Sequence, residues 1–176
     1  MSIIIKILIG IGSIIALLLI IALFVKNEYT IQRNIVINKK TDDVFNYIKF
    51  LKNQDHYSKW VMTDPSMKKS FHGADGTVGF VYAWDGNDKA GKGEQEIMNI
   101  QENEKLDIEI RFIRPFAGVA KTVMTTEPLP ANQTKVNWCM SGSSPYPMNL
   151  MSLIMKGILE KDLAVSLEML KTNLEK

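Results

Sequence analysis

A chain of 176 residues, 46% hydrophobic and 23% charged, has the balance of a folded protein and the length of one ordinary domain with an appendage. Its net charge of +2 is too small to argue for nucleic acid or an acidic partner. A single cysteine, Cys139, excludes an internal disulfide, and with only two histidines, His56 and His72, it makes no zinc site of the usual kind, so neither metal nor cofactor is expected.

The chain opens "MSIIIKILIGIGSIIALLLIIALFVKNEY". From Ile7 to Val25 it carries no charge, and Ser13 is its one polar residue. At 1.5 Å per residue such a stretch crosses a hydrocarbon core of about 30 Å. It has no polar face to turn to water, so lipid is its natural solvent. A cleaved secretory signal would be shorter and would end in small residues, whereas this one ends in Leu23, Phe24 and Val25. Residues 3–26 are therefore expected to be a single-pass anchor contacting the lipid bilayer. Gly10 and Gly12 lack the four-residue spacing of a helix-packing motif. Lys6 on one side and Lys26, Arg33, Lys39 and Lys40 on the other leave the side of the membrane unassigned.

Residues 28–176 read as one soluble domain. "EYTIQRNIVIN" alternates, with Tyr29, Ile31, Arg33, Ile35 and Ile37 on one side, and predicts a half-buried strand close to the bilayer. In "NKKTDDVFNYIKFL", Thr41 is the expected N-cap, Asp42 and Asp43 suit the positive end of the helix dipole, and Val44, Phe45, Ile48 and Leu51 form an apolar face. "NQDHYSKWV" predicts a second short helix that buries Tyr57, Trp60 and Val61, with Pro65 ending any continuation.

From Met67 to about Ser144 strands alternate with Gly/Asp/Asn turns. "TVGFVYAWD" puts Val78, Phe80, Tyr82 and Trp84 on one face. In "KLDIEIRFIRPF", Leu106, Ile108, Ile110 and Phe112 oppose Asp107, Glu109 and Arg111. This is the alternation of an antiparallel sheet with one face on a core and one in water. "VAKTVMTTEPL" and "QTKVNWCMSG" complete about six strands in this run. The last segment, from Asn149, repeats apolar residues every three or four positions: Leu150, Leu153, Ile154, Ile158, Leu163, Leu167, Leu170 and Leu174. It predicts a long amphipathic helix, capped by Asn149, whose apolar face needs a sheet to lie on.

"GNDKAGKG" (Gly86–Gly93) nearly matches the phosphate-cradling loop G-x-x-x-x-G-K-[ST]. That loop needs a helix after the lysine, and "EQEIMNI" alternates like a strand; the hydroxyl residue is replaced by Gly93. The segment reads as a hairpin, and no nucleotide is expected. No Ser/His/Asp or Cys/His constellation is visible, so no catalytic residue is assigned.

The arrangement in "IQRNIVINKKTDDVFNYIKFLKNQDHYSKW", in "GTVGFVYAW" with "GKGEQEIMNI", and in the C-terminal helix resembles the START-like or SRPBCC superfamily, in particular its polyketide cyclase/dehydrase-type small proteins. The resemblance runs from about Tyr29 to the C-terminus. It implies an α+β helix-grip fold: a curved antiparallel sheet of six or seven strands around the long helix, with two short helices after the first strand. It also implies a cavity between sheet and helix for an apolar small molecule or lipid. The expected lining is Trp60, Tyr82, Trp84, Met98, Ile110, Met124, Trp138, Met140, Met151 and Met155. Arg114 is expected at the cavity mouth, facing a ligand carboxylate, and Tyr146 as a gate within "SSPYPMN". The expectation is a membrane-anchored binding domain; the superfamily also contains cyclase- or hydrolase-type enzymes and co-chaperone-like interaction modules.

Overall fold

The computed structural model describes residues 2–176. An N-terminal helix, α1 (Ile3–Phe24), precedes β1 (Glu28–Ile37) and α2 (Thr41–Ile48). Two turns of 3-10 helix, Leu51–His56 and Val61–Thr63, replace the second short helix of the sequence reading. Between them Tyr57 and Ser58 are buried in the core. Six strands follow: β2 (Lys68–His72), β3 (Val81–Asp85), β4 (Lys92–Gln101), β5 (Lys105–Arg114), β6 (Gly118–Leu129) and β7 (Gln133–Ser143). A short turn, Met148–Leu150, leads into α3 (Met151–Leu174).

The seven strands form one antiparallel sheet in the order β1-β7-β6-β5-β4-β3-β2. Consecutive strands from β2 to β7 are joined as hairpins, and β1 closes on β7. Register shifts at Lys92/Gly93 and Ile97/Asn99 interrupt the β4–β5 ladder, and such bulges bend a strand. The core lies on the face that carries α2 and α3. There Ile31, Val44, Phe45, Ile48, Met124, Val136, Trp138 and Met140 meet Leu163, Leu167 and Leu170. Each of these large side chains contributes about 1.5–3 kcal/mol by leaving water. The opposite face carries a charged cluster in which Arg111 reaches Glu94 at 2.7 Å, Glu96 at 2.6 Å and Glu109 at 2.9 Å.

The near phosphate-loop motif is the β3–β4 hairpin. The Gly86 amide donates to the Gly91 carbonyl (2.9 Å), and Gly91 takes a positive φ of 68°. Lys92 opens a strand and pairs with Asp85 at 2.9 Å. Asp64 holds this hairpin from below: its carboxylate accepts from the Asn87 amide (2.8 Å) and the Ser66 hydroxyl (2.7 Å).

Three local expectations are corrected. Thr41 is the first helical residue of α2 and its hydroxyl lies 3.2 Å from that of Thr134, so it does not cap the helix. Val78 precedes β3 and is exposed. Asn149 does not cap α3 but turns towards α1: its side-chain amide donates to the carbonyls of Ala22 (2.7 Å) and Val25 (2.8 Å). Of α3, only the C-terminal half lies down on the sheet; Leu153, Ile154 and Ile158 remain exposed.

Candidate ligand pocket at the α1 end of the sheet

Strand pairing alone determines where the chain can be open. Tyr29 of β1 lies beside Gly142 of β7, Ala120 of β6 beside Gly142, and Phe112 of β5 beside Gly118 of β6. The start of β1, the end of β7, the β5–β6 hairpin and the entry to α3 therefore meet at one end of the sheet. That is also the end to which α1 is joined.

Between them is a pocket of about 720 Å³. Its sheet-side wall is Tyr29, Phe112, Gly118, Val119 and Ser143. Pro115, Phe116 and Ala117 of the β5–β6 turn form its lip. The opposite wall is Met148, Met151, Ser152, Met155, Lys156 and Leu159, and Ser144 and Pro145 close the base. Residues 151, 155 and 159, like 152 and 156, recur at four-residue steps, so one stripe of α3 faces the space. The volume suits a drug-sized or lipid-sized molecule, and a mostly apolar wall with a few polar groups is the usual composition of such sites.

The polar groups are few. Lys156 is exposed and makes no ion pair among the described residues. Ser152 donates to the Asn149 carbonyl at 2.7 Å, which holds the start of α3. Tyr29 is half-buried, and that burial raises its phenol above the ordinary value of 10, so it is a neutral hydrogen-bonding group at physiological pH. No Asp, Glu or His is among the lining residues. The arrangement can bury an apolar body and offer one cation and several hydroxyls to a polar head; it holds no carboxylate base.

Of the residues chosen from sequence, the structure brings Met151 and Met155 to this pocket. Tyr146 is exposed near the entry to α3, between Pro145 and Pro147. Arg114 is next to the lip but is spent on Asp85 (3.0 Å), on the Gly86 carbonyl (2.6 Å) and, more loosely, on Asp88. The others lie elsewhere. Met124, Trp138 and Met140 are core, and the Trp138 indole donates to Thr122 Oγ1 at 3.2 Å. Trp60 packs edge-on against Trp138, with centroids 6.0 Å apart. Tyr82 is fully buried and donates to Asp55 at 2.7 Å. Trp84 meets Phe112 edge-on and donates to the Ala90 carbonyl. Ile110 packs against the core, and Met98 is exposed beside the β4 bulge. The physical reason is shared: the middle of the sheet is filled by aromatic and Met side chains against Leu163, Leu167 and Leu170, and the space beside α3 opens where the helix runs past that plug. The sequence signal for the pocket was the pair of stiff Pro-containing connections, "RPFAGV" and "SSPYPMN", which set large apolar residues beside turns.

No protein-family model and no curated protein matches the chain. Solved structures do. A protein from Chromobacterium violaceum aligns with a TM-score of 0.60 at 14% identity, over 84% of this chain and 97% of that one. Norcoclaurine synthase from Thalictrum flavum, in complex with dopamine and hydroxybenzaldehyde, aligns with a TM-score of 0.63 at 11% identity, over 89% and 92%. These neighbours are helix-grip folds of the SRPBCC and Bet v1-like kind, and the seven-stranded sheet with its long C-terminal helix has the same fold. The N-terminal helix is an addition, long and apolar enough to cross a membrane.

Proposed function

We propose that this helix-grip domain binds an apolar small molecule or lipid in the pocket at the N-terminal half of α3, and that α1 tethers it to a bilayer. The observation that carries the binding reading is the pocket itself: about 720 Å³ of space whose walls are Met, Phe, Val, Leu and Pro, with a single ammonium and a few hydroxyls. Binding there draws on apolar burial at about 25 cal/mol per Å², and Lys156, Ser144 and Tyr29 orient the polar end. Two methionines on one helical stripe give a wall that re-packs around different shapes. The tether is supported by an uncharged surface around α1 from Ile7 to Phe24, where buried Ala22 is the exception to general exposure.

A cyclase-type reaction is the second reading, favoured by one observation: an unpaired amine, Lys156, and a neutral phenol, Tyr29, line the same space. Binding is preferred because the lining has no carboxylate or imidazole to take a proton.

Native mass spectrometry of the purified full chain released from detergent tests the binding reading. One apolar molecule held per chain, at lower occupancy in a Met155→Trp variant, is the expected result. A chain that carries nothing and fails to take up a fluorescent fatty acid would sink it.

A further inference from the structure

Among the described residues, sixteen large apolar side chains outside α1 are exposed, and ten of them fall in two segments, 112–119 and 146–158. These are the two segments that frame the pocket mouth. The first two turns of α3 show how unusual this surface is. Leu153 (63% exposed), Ile154 (66%) and Ile158 (48%) lie outside the pocket stripe, so the helix is apolar on nearly every side there. A helix apolar all round is stable only when something apolar surrounds it, and an exposed patch of this kind marks an interaction surface. Across the mouth, Ile113 (56%) and Phe116 (65%) project from the β5–β6 hairpin in the same way.

What covers this rim follows from its attachment to α1. Asn149, one turn before these helical residues, binds the carbonyls of Ala22 and Val25 at the end of α1, and the Ser144 amide donates to the Asn27 carbonyl at 2.8 Å. The rim is thereby fixed beside the point where α1 ends. Lys26, two residues past the end of α1, and Lys156, on the pocket wall, are both exposed. The charged Arg111 cluster lies on the other face of the sheet.

We propose that the mouth of the pocket is a second membrane-contacting surface: Ile113 and Phe116 on one side, and Leu153, Ile154 and Ile158 on the other, insert among lipid headgroups so that the pocket opens into the bilayer rather than into water. The proposal rests on α1 spanning that bilayer. Apolar side chains flanked by lysines are the composition that seats in this interfacial layer.

A single-thiol series tests it. In a Cys139→Ser background, the full chain carries Phe116→Cys at the rim or Glu104→Cys in the β4–β5 turn, at the far end of the sheet. Each is labelled with a polarity-sensitive fluorophore and reconstituted into phosphatidylcholine–phosphatidylglycerol vesicles. Position 116 should lose most of its emission to nitroxide-bearing lipids and be shielded from aqueous iodide, and position 104 should show the reverse. If the chain floats with vesicles while iodide quenches 116 as readily as 104, the rim proposal is overturned and the anchor stands. If the chain does not float with vesicles, the anchor reading falls and the proposal with it.

Discussion

Asn149 donates both of its amide hydrogens to the end of α1, one to the Ala22 carbonyl at 2.7 Å and one to the carbonyl of Val25, the residue that follows the helix, at 2.8 Å. The last carbonyls of a helix lack regular intrahelical partners; here the Ala22 carbonyl takes a long bond from the Val25 amide (3.3 Å) and a shorter one from a side chain 127 residues away in sequence. Asn149 is almost wholly buried, as is Ala22, so water cannot take its place.

Replacing Asn149 with Ala removes both of these hydrogen bonds and leaves the buried Ala22 carbonyl only the long bond from the Val25 amide (3.3 Å), at a cost of about 0.5–1.5 kcal/mol for each bond lost. The expected outcome is a lower thermal midpoint for the full chain in detergent and faster amide exchange from Val25 to Tyr29, with the centre of the sheet unchanged. Exchange measured by mass spectrometry checks this.

Narrowing the pocket should weaken binding without unfolding the domain. A Trp at position 155 occupies space that a ligand would use; displacing about 60 Å² of apolar contact costs about 1.5 kcal/mol, or roughly tenfold in affinity. Titration of wild type and Met155→Trp with a fluorescent fatty acid measures it. Lys156→Met in the same assay should weaken a fatty acid more than its neutral alcohol.

Tyr57 is fully buried, and its hydroxyl has no hydrogen-bond partner. Burial first, then the nearby Tyr47 and Asp75, push its phenol well above the ordinary value of 10. Its neutral form contributes stability that is fully present below pH 10 and is lost as pH rises towards the raised value in the fold. Tyr57→Phe removes an unsatisfied polar atom, so it should leave neutral-pH stability unchanged or slightly higher. It should also blunt unfolding above pH 10. Denaturant titrations at neutral and alkaline pH give both readings.

Asp64 responds in the opposite direction. Hydrogen bonds from Ser66, and then from the Asn87 amide, hold its carboxyl below the usual 3.8. Its contribution is fully present above that ordinary value and is lost as pH falls through the depressed one. Asp64→Asn should therefore destabilise the β3–β4 hairpin at neutral pH, with the difference from wild type narrowing below about pH 4. Circular dichroism melts across an acid series follow it.

Much of the architecture was legible because it rests on local periodicity. The two-residue alternation of Leu106, Ile108 and Ile110 against Asp107, Glu109 and Arg111 showed the core face of β5 directly. The strand after Lys92 showed that a glycine–lysine turn was a hairpin. The pocket was less legible, because periodicity says which side of an element is apolar and not whether that side finds a partner. Met140 and Met155 look alike in sequence; one is pressed into the plug around Leu167 and the other borders open space. Leu153 and Leu163 share one helix and one residue type, yet only the second reaches the sheet. Asn149 shows a further limit: its position before a helix suggested an N-cap, and its partners lie at the far end of the chain.

Only Val25, Lys26 and Asn27 separate α1 from β1, a link of at most about 10 Å when extended. With α1 in lipid, that leash holds the domain at an effective concentration against the bilayer in the millimolar range or above. A rim too weakly attracted to bind vesicles from solution would still be seated nearly all the time. Affinities measured on an excised domain would then understate how often the intact chain samples the membrane, and exchange of a lipid with the pocket would follow first-order kinetics that do not change with protein concentration.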